Sequence, residues 1–321
     1  MTDLKTLITE SARKFGADLV GFASIDRFTD IPSMQHPASI YPDCKTVIGL
    51  GFRVLRGSLR GVEEGTTYYQ YTTMGIELLE ENYMPRSMMR LCGVIEDAGF
   101  TAAPQKRYQL IRSDADATNP EMNYKKIYHN VNMPQLDFAK TAVVCGLGEM
   151  GCSGQVLTDD FGPFQRFCFI LTDAEIESSP LIPKHLCDNC GECAKACPGK
   201  AMEPSDEGFT TDSWQCAAYL AGANASKNPF LAPDALSGLA DRMAILRGEK
   251  KLTPDEAKEV MNALHFYPPM KHAYATNVCG RACDRACYDH LEKTGKLARK
   301  FANPFRRGED WVLPLDEFDR K

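Results

Sequence analysis

The chain has no run of about 18 consecutive apolar residues, so no part of it reads as a membrane-spanning helix. Its N-terminus, Met-Thr-Asp-Leu-Lys, lacks a basic stretch leading into an apolar one and lacks a twin arginine. No export signal is therefore expected, and the expected location is cytoplasmic. Positive charge is also scarce: 37 Lys and Arg stand against 43 Asp and Glu, a net charge of −6. Proteins that hold nucleic acid by broad electrostatic attraction are normally basic, which speaks against nucleic acid as a partner. Internal repeats and low-complexity tracts are missing, and the 6 histidines fall in no metal-ligand spacing. At 44% hydrophobic and 25% charged residues, the chain is not a disordered one.

Against these absences stands an excess of 13 cysteines. In a chain without an export signal they point to metal or redox chemistry rather than to disulfides.

The hydrophobic pattern is that of a mixed fold. Leu4, Leu7, Ile8 and Ala12 predict a helix over residues 4–16, and strands are expected at 17–23 and 46–52. Residues 53–66, basic and glycine-bearing, read as a surface loop. A helical pattern over 68–98 should be kinked or divided by Pro85. Residues 101–133 are polar and irregular, with a strand expected near 108–111. Asn132 is placed to cap a helix with Pro134 in its first turn, ending at Gly146 or Gly148. Residues 167–172 read as a buried strand. Alternating strands and helices over 1–180 argue for an α/β (α+β) layer fold. The cysteine-rich part begins after residues 180–183.

Eight cysteines form a pattern. Cys187-x2-Cys190-x2-Cys193-x3-Cys197-Pro198 is the bacterial ferredoxin run for [4Fe–4S] clusters. A tight loop aims three thiolates at one cube, and the fourth cysteine, expected to start a helix leading away, serves the other. Each cube is then short of ligands, and Cys216, Cys279, Cys283 and Cys287 supply the missing four. The crossed pattern gives Cys187, Cys190, Cys193 and Cys287 to one cluster and Cys197, Cys216, Cys279 and Cys283 to the other. Cys44, Cys92, Cys145 and Cys168 read as small buried hydrophobes.

Gly146-Leu-Gly148-Glu-Met-Gly151-Cys152-Ser-Gly154 matches the G-x-G-x-x-G dinucleotide pattern, but a helix rather than a strand is expected before it. A helix end running into a tight loop fits better, as does a loop whose backbone approaches a large flat cofactor.

The Gly146–Gly151 stretch, Phe161-Gly162-Pro163 with Arg166, Leu171-Thr172-Asp173, the ferredoxin run and Gln215-Cys216-Ala-Ala-Tyr219-Leu220 together resemble the cobalamin-dependent iron–sulfur reductases. These are the reductive dehalogenases and epoxyqueuosine reductases. The resemblance implies a nitroreductase-like α/β core over residues 1–180 holding substrate and a base-off corrinoid (cobalamin). It implies a ferredoxin-like module over 181–290 with two [4Fe–4S] clusters, and a tail, 291–321, packed on the core. Gly146, Gly148, Gly151, Gly154, Phe161, Gly162 and Arg166 would face the corrinoid.

Two departures follow from the same resemblance. Asn132 stands where epoxyqueuosine reductases have a proton-donating aspartate, and Cys152 where they have a lysine. An amide has no acidic proton to give, and a thiol carries no positive charge. Asn132, Cys152 and a tyrosine such as Tyr108 are the candidate catalytic residues. The function expected is a corrinoid-dependent reductase of a small organic substrate, fed by a low-potential ferredoxin or flavodoxin. The alternatives are a corrinoid-reducing protein serving a partner enzyme, or a corrinoid-free electron carrier. The basic stretch with Lys293, Lys296, Arg299, Lys300, Arg306 and Arg307 reads as a solvated face or as a docking patch for an acidic donor.

Overall fold

The computed structural model describes residues 3–67, 70–107, 134–206, 208–264, 277–309 and 311–316. The chain forms two compact units, each assembled from three stretches. One comprises Met1–Arg53, Glu80–Met150 and Gln165–Lys184; the other comprises Val54–Leu79, Gly151–Phe164 and His185–Lys321.

The first unit is built on a four-stranded sheet of β1 (Leu19–Ser24), β2 (Thr46–Arg53), β3 (Ala102–Gln105) and β4 (Gln165–Thr172). The strand order is β1-β2-β4-β3, and all three pairings are antiparallel. β2 and β4 pair over their full length, from Thr46 opposite Thr172 to Arg53 opposite Gln165. Their apolar residues run without alternation. Val47, Ile48, Leu50 and Phe52 of β2 are buried, as are Cys168, Phe169, Ile170 and Leu171 of β4. That pattern belongs to strands covered on both faces.

Helices Leu4–Lys14 and Met84–Asp97 pack against each other in this unit. The helical pattern over 68–98 is not interrupted at Pro85: wide-turned segments Gln70–Glu77 and Leu79–Tyr83 run directly into the α-helix Met84–Asp97, and the winding changes just before Pro85, which lies in the first turn of the α-helix.

Two local expectations are corrected. The helix after residue 134 is Phe138–Val144, and its cap is Asp137, not Asn132. Asp137 Oδ1 accepts from the N–H groups of Ala139 (3.1 Å) and Lys140 (3.0 Å). Carboxylate and amide are equally good caps, so the Asn-Met-Pro signal competed with a second one five residues on. The helix does end at Gly146, as expected. Gly146 takes φ +72°, and a Cβ there would lie 2.3 Å from the Pro180 carbonyl oxygen. The second correction is residues 53–66, which hold a helix, Arg56–Glu64, with Leu59, Val62 and Glu63 buried.

The second unit has its own core. Tyr219, Leu231, Leu236, Ile245, Leu246, Leu252 and Val260 gather around helices Ser213–Leu220, Arg242–Leu246 and Pro254–Ala263. Here too belong the hairpin Met202–Ser205/Gly208–Thr211 and the helix Ala282–Lys293. The mixed α/β class is borne out, and among the described residues no helix is long and apolar enough to cross a membrane.

Cys44, Cys92, Cys145 and Cys168 are all buried in the first unit. Burial pushes the Cys44 thiol up to about 11 and that of Cys92 to about 12, so both stay protonated and inert.

Two glycines of the first unit should respond in opposite directions. A Cβ at Gly21 would sit 2.2 Å from the Cys145 carbonyl oxygen, whereas one at Gly93, inside Met84–Asp97, meets nothing within 4 Å. Gly21→Ala should lower stability by about 1–3 kcal/mol through overpacking. Gly93→Ala should raise it by up to about 1 kcal/mol through helix propensity. Urea unfolding of the two variants checks both.

Candidate metal centre

All eight patterned cysteines lie in the second unit. Cys190 is exposed, Cys193 is buried in the short helix Glu192–Lys195, and the remaining six are half-buried. The chain around them is wound tightly. Asn189 (φ 58°), Lys200 (φ 50°) and Arg281 (φ 53°) are left-handed, as is Gly191 (φ 78°). Left-handed non-glycine residues are uncommon, and three of the five among the described residues sit beside these cysteines. Such turns point successive N–H groups into one concavity, which suits anionic sulfur. Ala201 N–H donates to Cys197 Sγ at 3.3 Å.

Cys197 does not start a helix, contrary to expectation. The helix ends at Lys195, and Pro198, Gly199 and Lys200 turn the chain into strand Met202–Ser205. The direction of the fourth thiol is set by that turn.

Burial and the charges nearby raise several of these thiols. Burial raises Cys287 most, then Asp284, Cys193, Cys187 and Cys190 add to it. Burial pushes Cys279 up to about 11, with Arg281 pulling down and Cys216 pushing up. Cys283 is raised by burial, then by Asp284, Cys279 and Cys197, against Arg281. The thiols that bear on Cys287 are thus Cys193, Cys187 and Cys190, those that bear on Cys283 are Cys279 and Cys197, and Cys216 bears on Cys279.

Helix Ala282–Lys293 carries Cys283 and Cys287 one turn apart on one face. Arg285, between them, is paired with Glu63 of helix Arg56–Glu64, and Arg306 pairs with the same carboxylate. Arg281 holds Asp284 (Nε–Oδ2 2.8 Å) and donates to Gln155 Oε1 at 2.6 Å. Tyr288 stacks on Phe164 with centroids 4.2 Å apart, and Phe305 meets both rings edge-on. At the ligand loop, His290 and Lys296 hold Asp188 at 2.9 Å each, keeping its carboxyl well below the usual range. The basic stretch is largely occupied in this way. Lys293 pairs with Asp289 at 2.7 Å, and Arg299 lies over Phe161. Sequence patterns gave no sign of Glu63, Gln155 or Asp188, because each acts through a partner distant in the chain.

Cys152 also lies in the second unit. Its N–H donates to Cys187 Sγ at 3.3 Å, and its Sγ is 4.0 Å from Cys193 Sγ. Burial and the neighbouring Cys193 raise its thiol. Asn132 and Tyr108 lie outside the described residues. The seven residues expected to face a corrinoid are divided. Gly146, Gly148 and Arg166 belong to the first unit and Gly151, Gly154, Phe161 and Gly162 to the second. Arg166 is committed to a nearly buried ion pair with Glu80 at 2.8 Å, and Arg107 joins Glu80 at 3.0 Å. Gly154 is left-handed (φ +74°) with open space beyond its Cα.

No family model matches the chain. A tetrachloroethene reductive dehalogenase of Desulfitobacterium hafniense is 33% identical over 94 residues, 28% of this chain and 15% of that protein. One from Dehalobacter restrictus is 39% identical over 66 residues, 19% of this chain and 12% of that protein. Over these short stretches the chain is similar to the reductive dehalogenases. The resemblance read from its sequence is thereby borne out, although the match spans only about a seventh of the dehalogenase length. Among solved structures, epoxyqueuosine reductase from Bacillus subtilis aligns with 91% of this chain and 83% of its own, at 12% identity and a TM-score of 0.45. A catabolic reductive dehalogenase aligns with 88% of this chain and 36% of its own, at 14% identity and a TM-score of 0.48.

The Glu63 bridge generates a prediction. Arg285 and Glu63 expose only 5% and 3% of their side chains, so losing one strands the other. Glu63→Ala should destabilise by about 3–5 kcal/mol, while Glu63→Gln, which can still accept hydrogen bonds, should cost less. Chemical denaturation of the second unit, followed through Trp214 and Trp311 fluorescence, measures the difference.

Proposed function

We propose that this chain is an iron–sulfur oxidoreductase acting on a small organic substrate, with two [4Fe–4S] clusters delivering electrons to a base-off corrinoid. The observation that supports the reading is the eight cysteines of the ferredoxin-like pattern, which all lie in the second unit of a chain similar over short stretches to the reductive dehalogenases. One cluster is assigned Cys187, Cys190, Cys193 and Cys287, and the other Cys197, Cys216, Cys279 and Cys283. The donors fit the group. Thiolates are the usual ligands of such clusters, the loops are left-handed at three points, and Ala201 and Cys152 direct amide protons at ligand sulfurs.

Gly154 leaves room for a flat ligand to approach the backbone, whereas Gly146 is closed off by Pro180. In the proposed reading residues 1–180 serve corrinoid and substrate and residues 181–290 the clusters, as a ferredoxin-like module beside a nitroreductase-like core. A bound corrinoid would supply a strongly reducing cobalt centre. The protein's own part is to hold the clusters, exclude water and deliver a proton. Asn132 cannot release one at neutral pH, and Cys152 faces Cys187 and Cys193, so the proton comes from a tyrosine or from water. A ferredoxin or flavodoxin is the proposed electron donor.

Anaerobic reconstitution should yield about eight irons and eight sulfides per chain, as two four-iron cubes require. Cys197→Ser should lose the iron of one cube and keep the other. A wild-type count near four, or zinc in place of iron, refutes the assignment.

Cobalamin added to the reconstituted protein should be retained with a base-off visible spectrum, and Gly148→Phe should weaken retention by intruding on the ligand. With reduced viologen as donor, the wild type should not turn over epoxyqueuosine. Robust turnover would show that Asn132 and Cys152 do not occupy the family's acid and lysine positions. Absence of any cobalt retention would leave the corrinoid-free electron carrier.

A further inference from the structure

The eight patterned cysteines leave one thiol beside them unassigned. Cys152 meets the first group twice: its N–H donates to Cys187 Sγ at 3.3 Å, and its Sγ is 4.0 Å from Cys193 Sγ. The position is held from the other side as well. Phe209 N–H donates to the Cys152 carbonyl at 3.0 Å. Gly208 lies so close that a Cβ there would be 2.7 Å from Cys152 Cβ. The Cys152 peptide is thus tied by its oxygen to strand Gly208–Thr211 and by its N–H to a candidate ligand. The backbone of Cys152 is therefore held beside the sulfurs from both sides.

We propose that Cys152 is a positioning residue of the Cys187–Cys190–Cys193–Cys287 cluster, donating its S–H to Cys193 and its N–H to Cys187 and so raising that cluster's reduction potential. The role rests on the cluster assignment above. Reduction adds one electron, and the added charge spreads over the ligand sulfurs. A donor aimed at those sulfurs therefore stabilises the reduced form more than the oxidised form. No bond is made or broken, and the thiol keeps its proton in both states.

The test separates the side chain from the backbone. Cys152→Ala removes the S–H and keeps the N–H, while Cys152→Ser restores a hydroxyl donor of similar size. All three proteins are reconstituted anaerobically, their iron is counted, and both clusters are titrated by EPR at controlled potentials. Cys152→Ala should retain full iron and shift one cluster to a more negative potential, changing its reduced-to-oxidised ratio at the wild-type midpoint by about three- to tenfold, the worth of one hydrogen bond. The second cluster should not move, and Cys152→Ser should lie close to wild type. An unmoved potential in Cys152→Ala with full iron overturns the proposal. Equal shifts in both variants overturn it too, because they indicate packing rather than donation. Loss of one cube's iron in Cys152→Ala overturns it in favour of Cys152 as an iron ligand. A wild type that binds no iron refutes the cluster assignment itself, and the proposed role with it.

Discussion

Sulfur crowding is the constraint on which the rest of the second unit depends. Neighbouring thiols repel one another as soon as they shed their protons, and burial already raises Cys279, Cys283 and Cys287. The chain answers with geometry and with charge. After the left-handed Lys200 the N–H of Ala201 donates to Cys197 Sγ, and Arg281 lowers both Cys279 and Cys283. The arginine is itself balanced by Asp284 at 2.8 Å, so the neighbourhood gains a fixed dipole rather than a bare charge.

One helix carries two of the patterned cysteines. Cys283 and Cys287 of Ala282–Lys293 lie a helical turn and about 6 Å of rise apart. A rotation of that helix would misplace both sulfurs together. Arg285 lies between them and is pinned by Glu63, and Tyr288 is stacked flat on Phe164. The ion pair fixes the helix from one side and the aromatic stack from another. This explains why residues 53–66 fold as a helix: Glu63 must be delivered from a rigid element to serve as an anchor.

Strands 46–53 and 165–172 were legible because their apolar runs leave no other reading, and the cysteine groups because ligand spacing is a local property. What the sequence concealed was every feature that depends on a distant partner. The glycines and arginines of residues 53–66 look like loop composition until Leu59, Val62 and Glu63 are seen on one buried face. Asn132 and Asp137 carry equal capping signals, and tertiary context chose the second. Cys197 was expected to open a helix because ferredoxin runs often continue that way, but Pro198 and the left-handed Lys200 send the chain into a hairpin. Cys152 read as an altered substrate-facing residue because its neighbours, Cys187 and Cys193, lie 35 and 41 residues onward.

Those contacts change how Cys152 is understood. Read locally, it is an uncharged thiol in a glycine-rich loop. Read with its neighbours, it is a donor beside other sulfurs. In the role proposed for it, a cation at this position would favour a reduced cluster strongly, a thiol donor favours it weakly, and a methyl side chain not at all. A weak donor therefore leaves the cluster a stronger reductant than a cation would, and a substrate that receives its proton from a weak acid, such as water or a tyrosine, has more need of that driving force.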